Sequence, residues 1–412
     1  MKLAFVSNYF NHHQRALSDA LCALCGGAYT FVATGRMRQE RRVLGYGEDA
    51  VPSYVTEALD RAAQREAASR LLEADCVIFG GAPEDMLTGF LHTGKPVFRY
   101  SERLLKGESG LAAAVKYPLR RVGLHRRNPA CGNMYLLCAG AYAAADYAHF
   151  GLFRDQALRW GYFPALRVPG EDLFARKDPA ELLWCGRMIG WKHPEEALFV
   201  AAVLYTLGYV FRLTMVGTGE MENTLRGMAE QMGLSRVVTF TGPMKPEQVR
   251  DRMEQAGIFL LTSDSREGWG AVLNEAMNAG CAVVASHAAG SVPYLVRDGE
   301  NGLIYASGHT DGLVRRVRWL LEEPDRQRAL GQTACRTLSG VWNPDIAARR
   351  LITVAELALS APGEEVCRAV RRLYTDGPCS PAPCLREDWY TDKEKDTGGE
   401  PPEAPHETER GD

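Results

Sequence analysis

The segment Asp264-Ser265-Arg266-Glu267-Gly268-Trp269-Gly270-Ala271-Val272-Leu273-Asn274-Glu275 holds the densest chemistry in the sequence. It follows an apolar run and opens a helical pattern. Gly268 and Gly270 allow a backbone to approach a ligand closely. The amides of Trp269, Gly270, Ala271 and Val272 would lie at a helix start, where free N–H groups and the helix dipole favour an anion. Glu267 and Glu275 flank that cradle. Carboxylates beside an anion site are suited to accepting hydrogen bonds from sugar hydroxyls. The pattern therefore reads as a cradle for an anion flanked by sugar. A strand-helix turn that needs glycine for packing, with two solvated glutamates, is the plainer reading.

Three further loops follow apolar runs. Cys185-Gly186-Arg187-Met188-Ile189-Gly190-Trp191-Lys192 carries two cations five residues apart. Arg187 can fork two phosphate oxygens and Lys192 can add a point charge. Val216-Gly217-Thr218-Gly219 is a glycine turn that could bring backbone close to a nucleotide, although Glu222 fills the third glycine position of a dinucleotide fingerprint. Thr241-Gly242-Pro243-Met244-Lys245 offers amides and carbonyls to a base edge. Simple turns explain the last two equally well.

In type, spacing and order these loops resemble retaining glycosyltransferases of the GT-B fold, in the large group often called family 4. The resemblance covers about residues 181–306. It rests on Glu-x7-Glu at Glu267 and Glu275, Gly-Arg-x4-Lys at Arg187 and Lys192, the turn at Val216–Gly219, and Asp298-Gly299-Glu300-Asn301-Gly302. It implies that Arg187, Lys192 and the Gly268–Val272 amides neutralise a donor diphosphate. Glu275 would then hold the ribose hydroxyls, and Glu267 would face the donor sugar. Gly217, Gly219 and Lys245 would complete the donor site. It also implies retention of anomeric configuration without a metal or other cofactor, since no Asp-x-Asp motif stands at a strand end. The implied donor is a nucleotide-diphosphate sugar, with a UDP-sugar as first expectation. The implied acceptor is a hydroxyl of a glycan or lipid-linked glycan. An epimerase of the same fold and a nucleotide-sugar sensor without turnover are the alternatives.

The expected fold class is α/β: two facing doubly wound, Rossmann-like parallel sheets with a cleft between them. Strand patterns at Leu3–Ser7, Tyr29–Ala33, Val77–Gly80, Val97–Tyr100 and Met134–Cys138 alternate with helical ones, including Thr56–Leu72. A second series begins near Leu182, with strands at Leu182–Cys185, Phe211–Val216, Val237–Phe240, Ile258–Leu261, Ala282–Ala285 and Leu303–Tyr305. The boundaries read as an acceptor domain over 1–164, a donor domain over 165–345, and a helix over 342–362 returning to the first domain. Two domains on a Pro/Gly linker should close on donor. An acidic tail over 378–412 reads as disordered.

The acceptor side departs from the family pattern. The loop after the first strand is Asn8-Tyr9-Phe10-Asn11-His12-His13, polar and bulky rather than glycine-rich. Asn11, His12 and His13 would contact acceptor hydroxyls or phosphate, or simply open a helix. A metal on the adjacent histidines lacks a third ligand nearby in sequence. Arg99-Tyr100-Ser101-Glu102-Arg103 stands where relatives carry a histidine, so Glu102 and Arg103 are acceptor candidates. Basic residues within 116–127 suggest either peripheral contact with anionic membrane or a solvated helix face. Asp388-Trp389-Tyr390 reads as an untethered segment or a docking motif.

Composition fits this picture. Of the 412 residues 46% are apolar and 24% charged, as in globular proteins. Residues 385–412 hold ten acidic and four basic side chains, a net of −6, which leaves 44 basic against 41 acidic in the rest. Neither balance suggests nucleic-acid binding. No apolar run reaches the roughly 18 residues of a spanning helix. Met1–Ser7 reads as a first strand rather than a leader. Eleven scattered cysteines, mostly in apolar segments, suit reduced cytosolic thiols. The expected location is the cytoplasm, including the inner face of the membrane.

Overall fold

The computed structural model describes residues 1–37, 50–107, 120–128, 133–361 and 363–390. The chain divides into two compact units, one formed by 1–165 with 341–386, the other by 166–340 with 387 onward.

The first unit is built on seven parallel strands in the order β3-β2-β1-β4-β5-β6-β7. These are β1 Leu3–Ser7, β2 Tyr29–Ala33, β3 Val55–Glu57, β4 Cys76–Phe79, β5 Val97–Ser101, β6 Met134–Ala139 and β7 Ala157–Trp160. Strand β6 is buried along its whole length, the continuous apolar pattern of a sheet covered on both faces. Among the described residues, helices between the strands include α1 His12–Leu24, α2 Arg61–Leu71, α3 Asp85–Leu91 and α4 Ala143–His149. The reading of one helix from Thr56 fails at its start. Val55–Glu57 pairs with β2, and Asp60 ends that strand segment by capping α2, accepting from the amides of Ala62 and Ala63 at 2.9 Å each. Residues 120–127 are helical, while 116–119 of the basic segment lie outside the described residues.

The second unit has six parallel strands ordered β10-β9-β8-β11-β12-β13. They are β8 Asp178–Cys185, β9 Arg212–Val216, β10 Val238–Gly242, β11 Ala256–Leu261, β12 Ala282–Ser286 and β13 Leu303–Tyr305. Helices α5 Pro194–Thr206, α6 Glu222–Gln231, α7 Pro246–Gln255, α8 Val272–Asn278, α9 Val292–Leu295, α10 Thr310–Glu322 and α11 Pro324–Gly340 connect or follow them. One face of the sheet packs Leu182, Trp184, Leu213, Met215, Ile258, Leu260 and Val284 into a single apolar core. Register is fixed by that pattern, because a one-residue slip would turn each of these side chains to the opposite face.

After α11 the chain re-enters the first unit. Helix α12, Pro344–Ser360, packs on α1 and is followed by α13, Glu364–Leu373. The expectation of disorder from 378 is corrected over 378–390. Residues 379–382 run antiparallel beside β7: Arg159 N–H donates to Ser380 O at 2.7 Å and Ala382 N–H to Ala157 O at 2.9 Å. They cover the exposed edge of the sheet. Tyr390 is likewise docked, in the second unit, and is 4% exposed. Residues 391–412 lie outside the described residues. The ten cysteines among the described residues are free, so no disulfide staples either unit there.

Candidate active site

The loops that follow β8, β9 and β10 are laced together by backbone. Gly186 N–H donates to Val216 O at 3.0 Å, Met188 N–H to Thr218 O at 2.9 Å, Met221 N–H to Met188 O at 3.0 Å, and Gly217 N–H to Gly242 O at 3.0 Å. Two glycines make this approach possible. A Cβ on Gly217, which has φ +129°, would lie 1.9 Å from Gly186 O, and one on Gly219 would lie 2.3 Å from Met188 O. The close neighbour of these glycines is therefore the Arg187 loop. They set its path, whatever they do for a ligand. Lys245 begins α7; its side chain is exposed, and its amide donates to Gln248 Oε1 at 3.0 Å.

On the loop so held, Arg187 is exposed and has no ion-pair partner among the described residues. Its guanidinium lies 5.6 Å from the centre of the Trp191 ring, which Arg266 approaches from 6.0 Å. Two cations on one indole restrict where each can point. Lys192 is mostly buried and forms an ion pair with Glu267 Oε2; Ser263 Oγ donates to the same oxygen at 3.4 Å. The Lys192 carbonyl accepts from Thr262 Oγ1 at 2.6 Å, and that hydroxyl accepts from Trp184 Nε1 at 2.9 Å, which anchors the lysine to the end of β11. The two strand-end loops thus bring one ammonium and one carboxylate together across 75 residues of chain.

The Glu267 turn is fixed at both sides. Gly290 N–H donates to Glu267 O and Ser291 N–H to Trp269 O, each at 3.1 Å. Trp269 is fully buried, its Nε1 donating to Asn274 Oδ1 at 2.8 Å. Gly270 takes φ +88°, a conformation that favours glycine. Among the described residues no backbone carbonyl accepts from the amides of Gly268, Gly270, Ala271 or Val272. Those donors at the start of α8 remain for another acceptor.

Glu275, on α8, is mostly buried, and burial pushes its carboxyl up; Arg250 of α7, 3.6 Å away, opposes that shift. Arg250 is a partner of Glu275 that the sequence did not disclose, because it sits on a different helix.

A second network was equally hidden. His193, with φ +45°, places Nδ1 2.8 Å from Glu195 Oε1 and Nε2 3.2 Å from Asp264 Oδ2. Both ring nitrogens face carboxylates, so both donate and the ring is an imidazolium. The Glu195 hydrogen bond leads in raising its pKa to about 9; burial opposes it and Asp264 adds to it. Burial alone would raise Asp264, yet hydrogen bonds from the Arg266 side chain and amide and from His193 hold it below the ordinary value. A histidine with a raised folded pKa contributes stability that is fully present below about pH 6.5, its unfolded value, and is lost as pH rises through about 9. The melting temperature of the protein should therefore fall more steeply between pH 6.5 and 9.5 than that of His193→Asn, since asparagine tolerates the same backbone but does not titrate. Parallel slopes in thermal unfolding would remove His193 from this role.

In the first unit Asn11 is the cap of α1. Its side chain accepts from His13 N–H at 2.9 Å, while its own amide donates to Gln14 Oε1 at 3.2 Å. His12 and His13 occupy the first turn with ring centres 3.7 Å apart, and His13 stacks with Tyr162 at 5.9 Å. Glu102 accepts from Tyr162 Oη at 2.6 Å and pairs with Lys106. Arg103 departs from its expected place at a binding surface. It is 5% exposed, lies 5.1 Å from the Tyr142 ring centre and reaches Asp146 at 3.5 Å, so it serves the interior of the unit. Arg120 is tied to Leu104 O at 2.8 Å, whereas Arg121, Val122, Arg126 and Arg127 are exposed.

Two parallel-sheet, Rossmann-like units are the architecture of the GT-B fold. Residues 171–337 match the family Glycosyl transferases group 1. D-inositol 3-phosphate glycosyltransferase of Streptomyces coelicolor is 31% identical over 200 residues, 43% of each chain. A GDP-mannose-dependent alpha-(1-6)-phosphatidylinositol monomannoside mannosyltransferase of Mycobacterium tuberculosis is 30% identical over 145 residues, 34% of this chain and 37% of its own. The match thus spans less than half the length of these curated relatives. Among solved structures, Anabaena Alr3699/HepE in complex with UDP superposes with a TM-score of 0.66 at 15% identity, covering 86% of this chain and all of that one. At that identity the likeness is one of fold.

Proposed function

We propose that the protein is a retaining glycosyltransferase that moves a sugar from a nucleotide-diphosphate donor to a hydroxyl of a glycan or lipid-linked glycan. The observation that carries this reading is the ion pair of Lys192 with Glu267 across neighbouring strand ends, with Arg187 exposed on the Lys192 loop and, among the described residues, amides at the start of α8 that lack a backbone acceptor. Two cations and several N–H groups suit a diphosphate leaving group, whose charge grows as the glycosidic bond breaks. Lys192 has three N–H donors, so it can keep Glu267 and still give one to a phosphate oxygen. With that charge met by side chains and amides, the chemistry needs no metal. Attack from the same face, with the leaving phosphate taking the acceptor proton, would retain configuration without a protein base.

A UDP-sugar is the first donor to test, since the similar Anabaena protein is described with UDP; a relative is described as GDP-mannose-dependent, so GDP-sugars belong beside it. Relatives that act on phosphatidylinositol mannoside or lipopolysaccharide core suggest an acceptor at the envelope. No helix among the described residues is long and apolar enough to cross a membrane. Exposed Arg121, Val122, Arg126 and Arg127 would give peripheral contact with an anionic surface.

A thermal-shift panel of UDP-, GDP- and ADP-sugars tests the donor. A donor at 100 times its dissociation constant stabilises the fold by roughly 2.7 kcal/mol. Arg187→Ala should then weaken UDP binding about tenfold or more while leaving uridine binding within about twofold, because charged hydrogen bonds to phosphate are worth roughly 1.5–3 kcal/mol. Equal losses for UDP and uridine in calorimetry would show that Arg187 serves the fold rather than the diphosphate.

A further inference from the structure

The segment Glu387–Tyr390 ends in a built receptor on the second unit. The Tyr390 hydroxyl receives a hydrogen bond from Arg316 Nη2 at 2.9 Å and lies 2.6 Å from both Asp298 Oδ2 and Ile304 O. Arg316 is 1% exposed, so this contact is made by a buried guanidinium. Asp298 is held in turn, accepting from Ile304 N–H through Oδ1 at 2.8 Å. Burial keeps the Tyr390 phenol protonated, with the Asp298 charge adding to that effect and Arg316 opposing it. The Tyr390 ring stacks on His287, with centres 6.0 Å apart and planes 25° apart.

His287 is joined to the same segment by a directed bond. Ser307 N–H donates to His287 Nδ1 at 2.9 Å, so Nδ1 carries no proton. The proton of the neutral ring therefore sits on Nε2, which donates to Glu387 O at 2.9 Å. The backbone of His287 is itself fixed, donating to Tyr305 O at 2.9 Å.

Three residues beyond His287 begins the support of the cradle. Gly290 and Ser291 donate to the carbonyls of Glu267 and Trp269, and Tyr294 approaches the Trp269 ring at 6.3 Å. Ala288, Ala289 and Ser291 between and beside these points are buried. The stretch 287–291 thus has one end under the carboxyl-terminal segment and the other under the Glu267 turn.

We infer that Glu387–Tyr390 is a positioning strut of the nucleotide cradle: Tyr390 and Glu387 hold His287, and the 287–291 stretch holds the carbonyls of Glu267 and Trp269. The assignment of the cradle to a nucleotide rests on the function proposed above. The strut itself rests only on the bonds just given. The bonds given run from 387–390 to His287 and from 290–291 to the cradle, so their effect would pass through backbone order and not through chemistry.

Hydrogen exchange on the full chain, read by mass spectrometry, and UDP calorimetry test the strut together. Tyr390→Ala should raise exchange at 287–291 and 267–272 about tenfold and weaken UDP about 5- to 10-fold, the size of an ordinary coupling between sites. Exchange within Leu182–Cys185 should stay unchanged. Tyr390→Phe, which keeps the stacked ring, should fall between wild type and Tyr390→Ala, and it carries the test if the alanine variant does not fold. Faster exchange confined to 387–390 overturns the strut, as does faster exchange at 287–291 with unaltered UDP affinity. Failure of wild-type protein to bind UDP would instead remove the nucleotide reading, and the exchange data alone would still decide whether 387–390 orders the 267–272 turn.

Discussion

Glu267→Gln should lower turnover roughly 10- to 1000-fold, a loss of about 1.4–4 kcal/mol in transition-state stabilisation, while moving the Michaelis constant for donor by less than about threefold. Positive charge develops on the sugar as its bond to phosphate breaks, and a fixed carboxylate favours that state over the ground state. Glutamine keeps the shape and removes the charge. The ion pair with Lys192 adds a condition that the sequence did not show. Lys192→Ala would remove a proposed phosphate cation and also take away the ammonium that balances the charge of a largely buried carboxylate. Each single change therefore disables part of the other residue's work. The double variant Lys192→Ala with Glu267→Gln should be less damaged than the product of the two single losses. Glu275→Gln gives the contrast. Its proposed bonds to ribose hydroxyls exist equally in both states, so it should mainly raise the Michaelis constant. Steady-state kinetics with the donor found in the thermal-shift panel reads all four variants. Full turnover in Glu267→Gln would take that residue out of the active site, and strictly multiplicative losses would mean that the Lys192 contact is incidental.

What the sequence disclosed follows from the range of each signal. Buried parallel strands write continuous apolar runs, so Leu3–Ser7, Tyr29–Ala33 and Leu303–Tyr305 were readable to the residue. Strand β3, three residues and half-exposed, carries no such run and was taken into the following helix. Strand β7 was hidden for a different reason. Its four residues, Ala157–Trp160, run directly into a Pro/Gly stretch that reads as linker. The site divides in the same way. Gly, Arg, Lys and Glu at fixed offsets after strands are local patterns, and they lie where the parallel topology presents loops. Partnership is not local. The pairing of Lys192 with Glu267, of Glu275 with Arg250 and of His193 with Asp264 depends on which strands are neighbours, and sheet order is not written along any one segment. The tail shows the limit of composition: a Pro- and acid-rich stretch contains one tyrosine whose hydroxyl and ring find fixed partners, and these outweigh the cost of ordering a few residues.

Gly217→Ala should destabilise the second unit by about 3–5 kcal/mol, at the upper end of single substitutions. Two effects combine there. The backbone at φ +129° is one that L-residues rarely adopt, and the new Cβ would stand 1.9 Å from Gly186 O, a backbone atom. That oxygen cannot swing aside as a side chain would. Gly186 N–H is bonded to Val216 O on the same pair of loops, so relief requires the loops to separate and their shared hydrogen bonds to break. Gly233→Ala isolates the first effect. Gly233 has φ +70° with no atom within 4 Å of a new Cβ, so that variant should lose only about 1–2 kcal/mol, the ordinary penalty of a left-handed backbone. Separation of the loops would also shift the loop that carries Arg187, so Gly217→Ala protein that still folds should bind UDP at least about tenfold more weakly, whereas Gly233→Ala should bind it as wild type does. Urea unfolding, followed by hydrogen exchange at Leu213–Val216, measures the stability difference, and calorimetry measures the binding. A Gly217→Ala variant as stable as Gly233→Ala would mean that the two loops are not packed as closely as their bonds require, and the role of Gly217 in setting the path of the Arg187 loop would fall with it.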